Sequence, residues 1–242
     1  MEEKILDIKV TNTSYEDLEE RINSDLINNK KIFVVAINPE KILRAKRDAY
    51  LKQIINSADY NIADGIGIVY ASKILKGKIT QRITGIDLFE KICNLSNKRN
   101  YRIFLYGASE ENIIKAREKL VDKYPDINIV GIQNGYENNN KKIIKKINDS
   151  NANVLFVGLG TPKQEYWIYQ NMDKINANIF MGVGGSFDVI SGNINRAPFF
   201  IRKCGLEWLY RLFKEPKRIF RQIKLFRYVF LVIKSKFVEN NK

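Results

Sequence analysis

Between residues 32 and 185, short apolar runs alternate with segments of helical periodicity, and each run stops at a glycine or a lone polar residue. The runs are IFVVAIN (32–38), YNIAD (60–64), YRIFLYG (101–107), INIVGIQNG (127–135), NVLFVGLG (153–160) and NIFMGVGG (178–185). Runs apolar on both faces do not suit a sheet with one wet side. They suit a parallel sheet covered by helices on both faces. The alternation therefore predicts an α/β fold with a mostly parallel sheet of about six strands. Ligands of such sheets bind outside the carboxyl ends of the strands, near a switch in strand order. Asp64, Gly107, Gly135, Gly158–Gly160 and Gly184–Gly185 all fall at those ends.

The intervening segments carry helix-start chemistry. Pro39 fits a first helical turn, and the pattern after it reads as one helix to residue 58. A second helix runs from Gly65 to about Lys76. Thr84 opens a third, with Asp87 in the first turn, where the helix dipole favours an anion. Ser109 caps a helix reaching Tyr124, but Asn112 stands where a capping box needs Glu or Gln. The polar stretch ENNNKKIIKKINDS reads as helix or loop-helix.

Composition removes several classes of chemistry. The chain has no histidine, which excludes Ser-His-Asp and Cys-His catalysis and histidine-based metal sites. Any general base must then be Asp, Glu, Lys, Tyr or Cys. Cys93 and Cys204 are far apart and form no CxxC, so reduced, buried thiols are expected. The acidic start MEEKILDIKV lacks a signal-peptide apolar region, and no apolar run approaches the ~20 residues of a membrane span. A cytoplasmic protein that does not cross a membrane is expected.

GLGTPKQE (158–165) ends a strand in glycines and starts a helix. Thr161 is placed to be the N-cap, Pro162 the first helical residue, and Gln164 the closing member of a capping box. Backbone N–H groups at such a start suit a phosphate, with Lys163 adding charge, although a well-capped helix with no ligand has the same pattern. It is neither a Walker motif nor GxGxxG, so a standard dinucleotide site is not expected. MGVGGSFDVISG (181–192) is the second glycine-rich strand end, with Ser186 as a candidate cap and Asp188 in the first turn. It reads as a nucleotide pocket wall or as a tight turn. Asn38 and Arg82 are polar residues beside element ends. Two roles fit Asp64: helix cap, or a general base at the strand end where the site should lie. No D-x-D pair occurs, so no metal-binding pair of that type is available. Leaving-group charge would then fall to Arg, Lys or helix N-termini.

The basic charge sits in the tail. Residues 195–242 hold 13 Lys/Arg and 3 Glu, net +10, against net +4 for the preceding 194 residues. From Ile219, apolar residues recur at Ile223, Phe226, Phe230, Ile233 and Phe237, one face of a helix. Lys217, Arg221 and Lys224 fall largely opposite, and Arg227 and Lys234 flank the stripe. Leu225, Tyr228, Leu231 and Val232 lie off it. A basic amphipathic helix of this kind lies in a membrane interface, where each Lys or Arg near an anionic leaflet adds about 1 kcal/mol. Packing on the chain's own domain, or on a second copy in a homo-oligomer, fits the same stripe. A nucleic-acid backbone would reward the charge but would leave the spaced apolar residues unexplained, so no nucleic-acid partner is expected. The chain divides into a core, 1–194, and a membrane-associating segment, 195–242.

Seven stretches, in order over nearly the whole chain, resemble the WecG/TagA/CpsF glycosyltransferase family: INPEK near residue 38, ADG (63–65), RITGIDL (82–88), FLYGA (104–108), GLGTPKQE (158–165), GVGGSFDVISG (182–192) and RAPFFIRKCGLEWLYRLFKEPKRIFR (196–221). The resemblance implies an inverting glycosyltransferase of Rossmann-like, family-specific topology that needs neither metal nor cofactor. Members move N-acetylmannosamine or a related sugar from a UDP-sugar to a polyprenyl-diphosphate-linked sugar at the cytoplasmic membrane face. The products feed wall teichoic acid, enterobacterial common antigen or capsule-type polymers. The resemblance makes Asp64 the catalytic base, Gln164 and Asp188 pocket residues, and Arg211, Arg218 and Arg221 the cations that neutralise the diphosphate. Asn38, Arg82, Gly107, Gly158, Gly160 and Lys163 complete the expected substrate site. The family often carries Thr two positions before Asn38; here that position is Ala36, so a hydroxyl contact is missing or supplied elsewhere. Alternatives are a UDP-glucose- or UDP-N-acetylmannosaminuronate-type transferase of capsule assembly, a nucleotide-sugar epimerase, which should carry a dinucleotide fingerprint, and a non-catalytic membrane-surface nucleotide-binding module.

Overall fold

The computed structural model describes residues 2–203, 205, 207–214 and 219–239. Its elements are β1 (Glu2–Ile5), β2 (Ile8–Thr11), α1 (Tyr15–Ile27), β3 (Ile32–Ile37), α2 (Pro39–Ala45), α3 (Ala49–Ser57), β4 (Tyr60–Ala63), α4 (Ile66–Ile74), α5 (Gly85–Arg99) and β5 (Arg102–Gly107). They continue with α6 (Glu110–Lys123), β6 (Asn128–Gln133), α7 (Asn140–Asp149), β7 (Val154–Gly158), α8 (Lys163–Asn171), β8 (Ile179–Gly182), α9 (Ser186–Ile190), α10 (Phe199–Lys203), α11 (Glu207–Lys214) and α12 (Ile219–Glu239).

Six strands form one parallel sheet in the order β4-β3-β8-β7-β5-β6. The expected α/β architecture is present, and all six apolar runs became its strands. Alternate residues feed two cores. Phe33, Val35, Ile37, Phe104, Tyr106, Leu155, Val157 and Phe180 face one side, with α2, α3, α4, α7 and α8. Ile32, Val34, Ile103, Leu105, Val154, Phe156 and Met181 face the other, with α1, α5, α6 and α9. Two-sided burial explains why the strands read as continuous apolar runs rather than as alternating ones. The chain leaves β5 toward the β6 edge but leaves β7 toward β8, so neighbouring strands send their connections in opposite directions. That reversal opens a crevice at the carboxyl ends of β5 and β7.

Three local readings change. The helical stretch after Pro39 is two helices, because Asp48 ends the first pattern by capping the second: its Oδ1 accepts the Leu51 N–H at 2.9 Å. The antiparallel pair β1–β2 and helix α1 precede the alternating region and were not foreseen; α1 is capped by Ser14, which accepts the Asp17 N–H. ENNNKKIIKKINDS is a loop followed by α7, one of the two readings left open for it, with Asn139 as the cap.

The third change concerns α12. Tyr228 and Val232, off the sequence stripe, are 2% and 1% exposed and join the core beside α2 and α4. The stripe residues Phe226, Phe230, Ile233 and Phe237 point outward, Phe226 being 79% exposed. The helix is apolar on two faces, and the periodic stripe is the one left uncovered. Lys217 lies outside the described residues, as does Cys204, whereas Cys93 is fully buried.

Truncating the docked face should therefore matter more than truncating the stripe. Tyr228→Ala should cost about 3 kcal/mol and expose α12 to protease. Phe230→Ala should shift stability by no more than about 0.5 kcal/mol. Urea denaturation and limited proteolysis would report both; equal effects would overturn this assignment of faces.

Candidate functional site

Asp64 leaves the sheet at its carboxyl edge. Ile37 of β3 pairs with Ala63 of β4, so Asn38 and Asp64 emerge side by side. The Asp64 N–H donates to the carbonyls of Ile37 at 2.7 Å and Ile62 at 2.9 Å, which fixes where the half-buried side chain departs. The N-cap of α4 is Gly65, not Asp64, and its φ of 113° is open to glycine alone among common residues. The Ile83 N–H donates to the Ala63 carbonyl at 3.0 Å, laying Arg82 and Thr84 beside the end of β4.

A polar network surrounds this edge. Tyr15 Oη accepts the Thr84 N–H at 2.8 Å and lies 3.4 Å from Asp87 Oδ2 as a donor. Thr84 Oγ1 caps α5, accepting the Asp87 N–H, and donates to Asp87 Oδ2 at 2.6 Å. Burial pushes the Tyr15 phenol up to about 12 against hydrogen bonds with Thr84, with the Asp87 and Asp64 charges adding to the rise. Tyr15 is thus a neutral donor at physiological pH, and both carboxylates lie within its electrostatic reach. Two ion pairs bring in the C-terminal segment: Arg196 Nη2 lies 2.6 Å from Asp87 Oδ1, and Arg82 Nη2 donates to Glu207 Oε2 at 2.9 Å. Gly205 packs on Ile66, two residues after Asp64.

The crevice between β5 and β7 is lined by backbone. Gly107 has φ 123°, and a Cβ there would lie 2.5 Å from the Gly158 carbonyl carbon; a Cβ on Gly158 would lie 2.5 Å from the Phe187 ring. The strand ends approach this closely only because both side chains are absent. On the far side, Asp188 accepts from Asn112 Nδ2 at 2.6 Å. Ala36 turns toward α5, where a Cβ built on Gly85 would come within 3.2 Å of its own; the site of the family threonine is here a close strand–helix contact.

Gln164 joins the glycine turns by a route other than a capping box. The N-cap of α8 is Pro162, after a cis Thr161–Pro162 bond, with no side-chain cap. Gln164 is buried, and its Oε1 accepts the N–H groups of Gly160 at 3.2 Å and Gly184 at 2.9 Å. The amide oxygen is thus spent on these part-buried donors instead of on a capping box for α8. Its Nε2 donates to Glu165 Oε1 at 3.0 Å. Ser186 likewise is not a cap: Gly185 holds that position, and Ser186 Oγ donates to the Val183 carbonyl.

Glu165 is the hub beneath. At 1% exposure its Oε1 accepts from Lys41 Nζ at 2.7 Å, from Gln164, and from Thr161 Oγ1 at 3.2 Å. Burial works to raise its pKa, but the Lys41 charge and the hydrogen bonds from Lys41 and Gln164 outweigh it and hold the carboxyl below the usual range. Lys41 follows Asn38 in the first turn of α2, so this pair ties the Asp64 side of the edge to the glycine side.

The structure thus brings Asn38, Asp64 and Arg82 together at β3–β4, and Gly107, Gly158, Gly160, Gln164 and Asp188 at β5–β7–β8. β8 lies beside β3, so the two groups share one edge. Lys163 is exposed at the start of α8. Arg218 and the side chains of Arg211 and Arg221 lie outside the described residues. Sequence reasoning missed Tyr15, Arg196, Glu207 and the Lys41–Glu165 pair. Lys41 and Glu165 stand in quoted motifs, but they are 124 positions apart, and no spacing rule joins them.

Removing one partner of this pair leaves a buried charge alone. Lys41→Met should destabilise by about 3–5 kcal/mol, and Lys41→Met/Glu165→Leu should recover most of that. Because the Glu165 pKa is depressed on folding, its contribution is present above the unfolded value and is lost as pH falls through the folded one. Denaturant midpoints across acidic pH test both; a double variant as weak as the single would refute the pairing argument.

The profile of the glycosyl transferase WecG/TagA/CpsF family matches residues 3–242. Similar curated proteins include one of Bacillus subtilis (strain 168), 34% identical over 99% of this chain and 93% of its own. One of Bacillus spizizenii is 36% identical over 86% and 81%, and one of Staphylococcus aureus (strain MW2) is 32% identical over 96% and 92%. All three are named N-acetylglucosaminyldiphosphoundecaprenol N-acetyl-beta-D-mannosaminyltransferase. This chain belongs to the WecG/TagA/CpsF glycosyltransferase family.

Proposed function

We propose that this glycosyltransferase moves N-acetylmannosamine to a GlcNAc carried on polyprenyl diphosphate, the sugar and acceptor given in the names of its relatives, and that the donor is UDP-linked. The observation that carries the reading is the placement of Asp64 on the carboxyl edge, between Asn38 and Arg82 and on the same edge as the glycine-lined crevice. Asp64 takes the proton of the acceptor hydroxyl as that oxygen attacks the anomeric carbon. The bond from that carbon to the diphosphate breaks, UDP leaves, and the configuration inverts. Gln164 holds the two glycine turns that wall the donor pocket, and Asp188 stands at its far side. Arg211, Arg218 and Arg221 meet the diphosphate charge.

The acceptor is a membrane lipid, and the exposed faces of the C-terminal segment fit that setting. Phe199, Phe200, Phe226, Phe230 and Phe237 are all exposed, an apolar surface of the kind that marks an interaction site. No helix among the described residues is long and apolar enough to cross a membrane. The segment docks on the bilayer surface, while the Arg82–Glu207 and Arg196–Asp87 pairs hold it against the catalytic edge.

UDP release from UDP-N-acetylmannosamine with a polyprenyl-diphosphate-GlcNAc analogue, run in EDTA with mass analysis, tests the reaction. A disaccharide-lipid product is expected; turnover that requires Mg²⁺ or Mn²⁺ would overturn neutralisation by arginine. Asp64→Asn should lower kcat by about 10²–10⁴-fold while leaving folding and vesicle binding intact. Survival of turnover would remove Asp64 from the base role. Phe226→Ser/Phe230→Ser should weaken vesicle binding at least roughly tenfold.

A further inference from the structure

A second concave surface lies between α2 and α12, outside the set of residues assigned to catalysis. It is a groove of about 300 Å³ whose lining includes Arg44, Lys46, Arg47, Lys224 and Arg227. Two acids, Glu40 and Asp48, also line it. Asp48 is already engaged, with Oδ1 accepting the Leu51 N–H and Oδ2 the Tyr166 hydroxyl. The side chains of Lys46, Arg47, Lys224 and Arg227 make no hydrogen bond or ion pair with any described residue. Arg44 donates to the Thr161 carbonyl at 2.6 Å, so the groove abuts the glycine-rich turn before α8. The floor is apolar, from Leu43 and Leu231.

The orientation of α12 supplies an independent observation. With about 100° of rotation per residue, Leu231, Lys224 and Arg227 fall between the face docked through Tyr228 and Val232 and the outward stripe of Phe226, Phe230, Ile233 and Phe237. Lys234 lies at the border of the stripe. When the stripe enters the acyl boundary of a bilayer, the cations at its margin and those of α2 stand at the depth of the phosphates. Unpaired cations around an apolar floor fit a phosphodiester that carries an acyl stem.

We propose that the α2–α12 groove binds the phosphate of an anionic phospholipid headgroup, making the enzyme selective for anionic membrane beside its catalytic edge. The proposal rests on the reading of α12 as a membrane-docking helix and adds a defined headgroup site to it. A seated headgroup would also brace Arg44, and through it the Thr161 turn.

The test is sedimentation of the full chain with vesicles of phosphatidylcholine alone or mixed with phosphatidylglycerol. The wild type should prefer the mixed vesicles. Arg47→Glu/Lys224→Glu should lose at least roughly thirtyfold in affinity for them. Lys119→Glu/Lys141→Glu, an equal charge change at exposed positions on α6 and α7, should keep most of the preference. If the reversal variant does not fold, Lys46→Gln/Arg227→Gln makes the same comparison with a milder change. Equal losses in the groove and control variants would reduce the effect to net charge and overturn the groove. Equal binding of the wild type to both vesicles would overturn it while leaving membrane docking in place. Binding to neither, with turnover intact, would sink the docking reading and the groove together. Inorganic phosphate that abolishes the preference, where chloride of equal ionic strength does not, would make this a soluble-phosphate site and overturn the headgroup assignment.

Discussion

The buried ion pair between Lys41 and Glu165 constrains the rest of the candidate site's edge. Burying an isolated carboxylate is unfavourable enough that it would neutralise or move, so Glu165 requires its partners. Each of them belongs to a different part of the site. Lys41 fixes the first turn of α2, whose cap is Asn38. Gln164 carries the constraint to the N–H groups of Gly160 and Gly184, and Thr161 carries it to the turn between β7 and α8. One carboxylate oxygen thereby sets the spacing between β3, β7 and β8 at their carboxyl ends. The glycine turns can then be free of side chains, and open to a ligand's close approach, without being loose.

The C-terminal segment is coupled to this edge by charge and to the body by packing. Arg196 and Glu207 are the segment's contributions to two ion pairs whose other members, Asp87 and Arg82, belong to the start of α5 and the stretch before it. Further along, Tyr228 and Val232 complete the core beside α2 and α4. The segment is thus bound to the site at one end and presents its unburied apolar face at the other. The proposed lipid-linked acceptor would need that relation, because its reacting sugar and its membrane anchor lie at opposite ends of one molecule.

The sheet was legible because two-sided burial leaves an unmistakable composition: every residue of β3 is buried and apolar. The strand ends were legible because glycine is required where Gly107 and Gly158 meet backbone to backbone. The start of the chain was not, since β1 and β2 are only four residues each and resemble any short alternating stretch. The break between α2 and α3 turned on one aspartate cap inside a continuous helical pattern. Gln164 followed the capping-box spacing, yet its amide was drawn to part-buried backbone donors of the glycine turns instead. The docked face of α12 was not legible because the helix is apolar on two sides, and periodicity alone does not say which side meets protein. Asp64 was located by chain position at a strand end, whereas its neighbours Tyr15, Arg196 and Glu207 arrive by tertiary approach and leave no local signature.

The charge balance of the edge explains why so basic a tail accompanies so nearly balanced a core. Around Asp64 the described network holds the carboxylates of Asp64, Asp87 and Glu207 against the guanidinium groups of Arg82 and Arg196. Both arginines already face a carboxylate, so this part of the site does not favour a diphosphate by itself. A base must remain ionised to accept a proton, and surrounding it with unpaired cations would lower its basicity. The diphosphate leaving group of the proposed reaction would make the opposite demand, since charge would build on it as its bond to the sugar breaks. Placing the surplus cations on a separate segment meets both demands. On the proposed reading, Asp64 keeps a nearly neutral surrounding for its base role, while the net +10 of residues 195–242 would raise the local potential for an anionic donor and membrane.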